Sequence, residues 1–293
     1  MKWKRGQGYD EIEDRRGQGG GSGDMGALTG AVLGGMLGRK GAGSIGGLGI
    51  VLVIGFLLLS GVLSGSGGLS GLSGLGAGAA AGGTLKPEGD TDQFVAYVVS
   101  DVQDFWAQTF SASGRQYVQT KLVLFNDSTS SGCGRASAAT GPFYCPADQK
   151  VYLDLGFFDE LKTRFGAPGD FAMAYVIAHE FGHHIQTLTG VSDAVQQEVA
   201  NDGSRRNELS VKQELQADCL AGVWAHSAMA ELDPGDIDEA LTAAAAFGDD
   251  RIQQATTGRI DPETWTHGSS EQRQAWFSAG YKSGNVADCD TFK

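Results

Sequence analysis

Three of the five histidines in this 293-residue chain stand within six consecutive positions. They are His179, His183 and His184, in the stretch "YVIAHEFGHHIQTLTG" from Tyr175 to Gly190. Around them Phe171, Ala174, Tyr175, Ala178, Phe181, Ile185 and Leu188 recur at i, i+3 and i+4, which predicts an amphipathic helix. Asp170, after "APG", suits its N-cap, and Gly190 suits its stop. On such a helix His179 and His183 sit about 40° apart around the axis and one turn apart along it. A chain that places two imidazoles this way must bring further polar groups to them, which constrains everything that packs against this helix.

Two imidazoles at that spacing can share one Zn²⁺. Glu180 lies beside the ion, about 60° from His183 around the helix. This is the H-E-x-x-H arrangement of zinc hydrolytic sites. Neutral imidazoles leave the charge of the ion uncancelled, so it remains a Lewis acid and lowers the pKa of water. A neighbouring carboxylate can then take a proton and return it to a leaving amine. His184, about 100° from His183, points away from that face and is expected to be structural.

Five residues are not specific enough alone, so a third ligand is required. Downstream, "SVKQELQADCLAGVWA" (Ser210 to Ala225) reads as a second helix, with Ser210 and Gln213 able to form a capping box. Glu214 and Asp218 lie four apart beside Leu215, Ala217 and Leu220. Buried carboxylates cost several kcal/mol, on the order of the general desolvation penalty, unless compensated. The pair makes sense if Glu214 binds zinc and Asp218 accepts a hydrogen bond from a ligand histidine. His₂Glu leaves one coordination position open. An exposed acidic face is the plainer alternative.

The four cysteines, Cys133, Cys145, Cys219 and Cys289, allow three disulfide pairings. Cys133 with Cys145 closes a short loop and is the natural local pair, leaving Cys219 with Cys289. A cysteine metal site is the rival, but no C-x-x-C spacing is present.

The N-terminal third is different in kind. Of 46 glycines, 29 lie in the first 90 residues. No charged residue occurs between Lys40 and Lys86, and inside that window Ile45 to Leu63 is a 19-residue apolar run. That length suits one membrane helix, expected over residues 44–64. Lys2, Lys4, Arg5, Arg15, Arg16, Arg39 and Lys40 precede it, so the positive-inside rule puts the N-terminus in the cytoplasm and the main domain outside. A cleaved signal peptide fits less well, because the run is long and begins more than 40 residues from Met1. The division expected is a polar, glycine-rich cytoplasmic tail (1–43), the span (44–64), a Gly/Ser-rich tether (65–90) and a folded domain (91–293). That domain is acidic, which excludes a nucleic-acid-binding function resting on a basic surface. Its order begins with a helix from about Thr91. Strands follow at Lys121–Asp127 and Lys150–Leu155, then mostly helices, giving α+β.

"AHEFGHHIQ" followed by "ELQADCLAGVWA" resembles the family named "putative neutral zinc metallopeptidase". "MKWKRGQGYDEIEDRRG", "GCGRASAATGPFYCPADQKVYLDLGFF", "AAAAFGDDRIQ" and "THGSSEQRQAWFSAGY" extend the resemblance over nearly the whole chain apart from the tether. It implies a zincin-like, mainly helical domain with a small sheet, a zinc cofactor, a peptide or protein substrate and a membrane anchor. The ligand set is similar to that of the multi-span prenyl-protease and heat-shock protease group. By analogy with that group His267 would stabilise the oxyanion, with Arg273 supporting it. Asp249 and Asp250 match a family block without an assigned chemistry, and helix capping is their plain role. His226 has no evident partner. The strand Lys150–Leu155 is expected to be an edge that pairs with extended substrate. The competing class is a zinc-stabilised binding module without turnover. A purely structural zinc, however, has no use for Glu180 and prefers four protein ligands.

Overall fold

The computed structural model describes residues 1–6, 8–17 and 82–293. Its elements in chain order begin with β1 (Ile12–Asp14), β2 (Gly83–Thr84), helix α1 (Asp90–Ala112) and β3 (Leu122–Phe125). The hairpin β4 (Ser128–Ser131) and β5 (Gly134–Ser137) follows, then β6 (Phe143–Cys145) and β7 (Lys150–Asp154). The rest is helical: α2 (Gly156–Thr163), α3 (Asp170–Thr189), α4 (Val191–Asn201), α5 (Arg206–Ser227), α6 (Asp236–Ala246), α7 (Asp249–Thr257) and α8 (Ser270–Ser283). This is α+β, mostly helical with a small sheet.

The main sheet runs β2-β1-β3-β7-β6, with β1, β3 and β7 parallel and the two outer strands antiparallel. Strand alternation divides its side chains between two cores. Ile12, Leu122, Leu124, Val151 and Leu153 join the helices in the main core. Val123, Phe125, Phe143 and Tyr152 face the other way, where Ala136 of β5 and the Cys133–Cys145 disulfide cover them. Both faces being covered, β3 is buried throughout.

Two corrections follow. The strand Lys150–Asp154 is interior, flanked by β3 and β6, so it cannot accept a substrate strand. Among the described residues the edges are β2 and β6, and β6 is an edge that packs against α3. Residues 1–17 are also not a separate tail, nor is the tether free up to residue 90. β1 pairs with both β2 and β3, Leu85 is buried, and the Met1 amino group lies 3.0 Å from the Asp170 carboxylate at the start of α3. Three of the basic residues that suggested a cytoplasmic end have partners in the fold. Arg16 pairs with Asp14 and Asp92, Arg15 with Glu13, and Arg5 with Asp90. One sheet holds residues 12–14 and 83–84 together. Among the described residues no helix is long and apolar enough to cross a membrane. Residues 44–64 lie outside the described residues.

The helices that carry the site approach closely where side chains are absent. A Cβ on Gly182 of α3 would sit 3.0 Å from the Ala217 Cα of α5. Across the other face of α5, a Cβ on Gly222 would sit 2.1 Å from the Phe277 carbonyl oxygen of α8. These contacts hold α5 between α3 and α8, with the Cys219–Cys289 disulfide closing its outer side. Both disulfides follow the pairing expected from the spacing.

Candidate metal centre

α3 spans the predicted residues, with Gly190 in the left-handed conformation at its C-terminus. α5 starts four residues before the expected Ser210, which lies inside the helix. There the Ser210 hydroxyl donates to the Thr266 carbonyl rather than capping. Where the two helices cross, His179, His183 and Glu214 are all buried and offer ligand atoms within 4.8 Å of one another. Glu214 Oε2 lies 3.2 Å from His179 Nε2, and Glu214 Oε1 lies 3.4 Å from His183 Nε2. Zinc–nitrogen bonds of about 2.05 Å in a tetrahedron give ligand–ligand edges of about 3.3 Å. The spacing therefore fits one small divalent ion.

The far side of each imidazole decides which nitrogen faces the gap. His179 Nδ1 lies 2.8 Å from Asp218 Oδ1 and donates to it. His183 Nδ1 lies 2.9 Å from Gln186 Oε1 and donates to it. Both Nε2 atoms therefore face Glu214. His183 Nε2 is buried without a hydrogen-bond partner, a cost that a metal would remove. Burial alone would lower the His179 pKa, but the carboxylates of Asp218 and Glu214 outweigh it and push it up to about 9. Burial would raise the Glu214 pKa, yet the two histidines hold it at about 2. These three groups could hold a cation between them. Three candidate protein ligands, with no fourth among the described residues, fit a site with an open position.

Glu180 is 1% exposed, and neither carboxylate oxygen has a hydrogen-bond partner. Burial raises its pKa, against the opposing pull of His179 and His183. The Tyr144 N–H of β6 lies near enough to favour its charged form without forming a hydrogen bond. The β6 edge of the sheet therefore runs beside this carboxylate.

Asp218 accepts four hydrogen bonds. Its Oδ1 takes hydrogen bonds from Tyr175 Oη at 2.6 Å, His179 Nδ1 and Arg273 Nη2 at 2.9 Å, while Oδ2 takes Arg273 Nε at 2.8 Å. Burial opposes the charge on Asp218, but Arg273 and His179 outweigh it and hold the carboxyl well below the usual range. Arg273 also donates to the Phe247 carbonyl and the Tyr175 hydroxyl. It locks Asp218, and it lies near enough to His267 to act on its charge.

His267 is buried, with Nδ1 3.0 Å from Asp249 Oδ1. Asp249 Oδ2 accepts the backbone N–H groups of Thr266, His267 and Gly268. Asp250 accepts from the Ser270 N–H and hydroxyl, anchoring the start of α8. This loop leans on α5 through the Ser210–Thr266 bond, and His267 lies close enough to Glu214 for each to shift the other's titration. The two aspartates thus have a task beyond capping. His184 is buried away from the ligands, between the Tyr144 hydroxyl and the Val118 carbonyl, and His226 bonds the Tyr281 carbonyl; both are structural. A second carboxylate group, Asp170, Asp236 and Glu239, gathers where the Met1 amino group pairs with Asp170 and Asp236. Gln186 has no place in the sequence reading. Its only signal is the i, i+3 spacing from His183, which is common on helices.

Fold and site define a protein with a two-helix His₂Glu centre and a carboxylate beside it. Residues 1–292 match the family described as "Putative neutral zinc metallopeptidase", and the chain belongs to it. It is 49% identical over 208 residues to "Uncharacterized protein YpfJ" of Escherichia coli K12, covering 70% of this chain and 72% of that protein. It is likewise 49% identical over 189 residues to "Uncharacterized protein Rv2575" of Mycobacterium tuberculosis H37Rv, covering 60% of this chain and 63% of that one. No solved structure matches.

Proposed function

We propose that this protein is a zinc-dependent peptidase, with His179, His183 and Glu214 holding the ion and Glu180 moving the proton. The observation that carries this is the buried, unpartnered Glu180 carboxylate beside three converging ligand atoms. A binding module would leave that desolvated group without a purpose. When bound, the ion supplies Lewis acidity. Glu180 takes a proton from the attacking water and delivers it to the leaving amine. His267, oriented by Asp249, donates a hydrogen bond to the carbonyl oxygen as charge builds there. An extended peptide adding to β6 would bring its backbone past Glu180 with weak side-chain selectivity. The purified chain should hold one zinc and cleave extended peptides, losing activity to a chelator and regaining it with zinc. N-methylating the peptide amides that face β6 should raise KM by about 10-fold, the loss of about 1.4 kcal/mol of hydrogen bonding. Chelator-insensitive cleavage, or a chain that takes up no zinc, would reject the peptidase reading.

We further propose that the domain works in an oxidising, extracytoplasmic space, which its two disulfides support. Its first residues lie there with it, because β1 belongs to the domain's sheet. Cysteines placed at Gln18 and Thr84 should both label with a membrane-impermeant reagent from outside intact cells. Labelling of Thr84 alone would restore the single-span arrangement.

A further inference from the structure

His183 is held by a side chain that has no part in the chemistry above. Gln186 is fully buried. Its Nε2 donates twice, to the Gln213 carbonyl at 2.7 Å and to Gln216 Oε1 at 3.1 Å. Both acceptors lie on α5, the helix that carries Glu214. With both N–H groups spent, Gln186 can offer His183 only its oxygen, so His183 Nδ1 must be the donor. Flipping the amide would set its oxygen against the Gln213 carbonyl, two acceptors facing each other. The orientation is therefore not free.

The chain of amides continues. Gln216 receives Gln186 on its oxygen and donates its own Nε2 to the Cys289 carbonyl at 3.0 Å. Cys289 is tied to Cys219 on the next turn of α5. Two residues further, the Thr291 hydroxyl donates to the Lys212 carbonyl at 2.6 Å. The C-terminal segment thus forms a clasp along the helix that supplies the third ligand. A backbone carbonyl can only accept, so both ends of this chain point the donors the same way.

Resting on the zinc site above, we propose that Gln186 is a positioning residue for His183. Gln216 and the disulfide-held Cys289 carbonyl back it, so that the C-terminal clasp sets the hold on the metal. His179 gains the same service from Asp218, which is charged. The neutral amide on His183 polarises its imidazole less, making His183 the ligand whose geometry depends most on second-row packing.

The test has one arm that needs no metal. In the metal-free chain, nitrogen NMR at a pH where His183 is neutral should find its proton on Nδ1. Gln186→Leu should shift the proton toward Nε2. In the zinc-loaded full chain, Gln186→Leu should speed zinc release to a chelator by about 10- to 100-fold, the usual range for losing such a partner. Gln216→Leu, one step further out, should speed it a few-fold. An unchanged tautomer in Gln186→Leu overturns the proposal, whether or not the chain binds zinc. Equal zinc release rates in wild type and Gln186→Leu overturn it as well. A wild-type chain that binds no zinc would sink the peptidase reading, with the tautomer still deciding the relay.

Discussion

Replacing Glu180 with glutamine is expected to leave zinc bound and to lower kcat by at least about 10²-fold, the scale of a lost general base. The amide keeps the shape of the carboxylate in a pocket that is 1% exposed, so packing is preserved. It cannot accept the proton of the attacking water. Because Glu180 is not among the converging ligand atoms, metal content should stay at the wild-type level. The check is paired: metal analysis and peptide turnover on one preparation. Normal turnover would strip Glu180 of its role. Lost zinc would mean that the carboxylate belongs to the ligand set.

Asp218→Ala is expected to act on stability and metal together. The carboxylate neutralises Arg273 and receives the hydroxyl of Tyr175 and Nδ1 of His179, all inside the core. Removing one partner from a buried ion pair costs about 3–5 kcal/mol, mostly because the remaining charge is stranded. Zinc affinity should fall by about 10- to 100-fold as His179 loses its orienting acceptor. Denaturant unfolding of the metal-free chain reads the first effect, and chelator competition the second. Removing Arg273 as well should recover part of the stability, since no unpaired charge would remain. If Asp218→Ala unfolds at the wild-type denaturant concentration, this cluster does not support the fold.

The shared faces of His179, Glu180 and His183 on one helix and of Glu214 and Asp218 on another were legible because each depends on helix geometry alone. Spacing of four residues fixes a shared face, and no distant contact is needed to know it. The disulfide pairing was legible because short loops limit the choices. Arg273 was expected only as a support for His267, since nothing but the crossing of α8 over α5 brings it to Asp218. Gln186 was passed over because an amide three residues from a histidine is ordinary until its other hydrogen bonds are known. β1 was missed for a related reason. "IED" shows no apolar alternation, and its single buried residue, Ile12, cannot announce a strand.

Local chain geometry, read from residue types and their spacing, determined that this protein presents two imidazoles and a carboxylate on one helix, with two more acids on another. Helical periodicity is a property of neighbouring residues, so that much needs no fold. The tertiary structure decided which groups meet across helices: Glu214 with the histidines, Arg273 with Asp218, Gln186 with Gln216, Asp249 with His267. It also decided that the first residues of the chain belong in the central sheet. Those outcomes depend on packing and strand pairing between segments far apart in sequence, where many partners compete and only the complete core selects one.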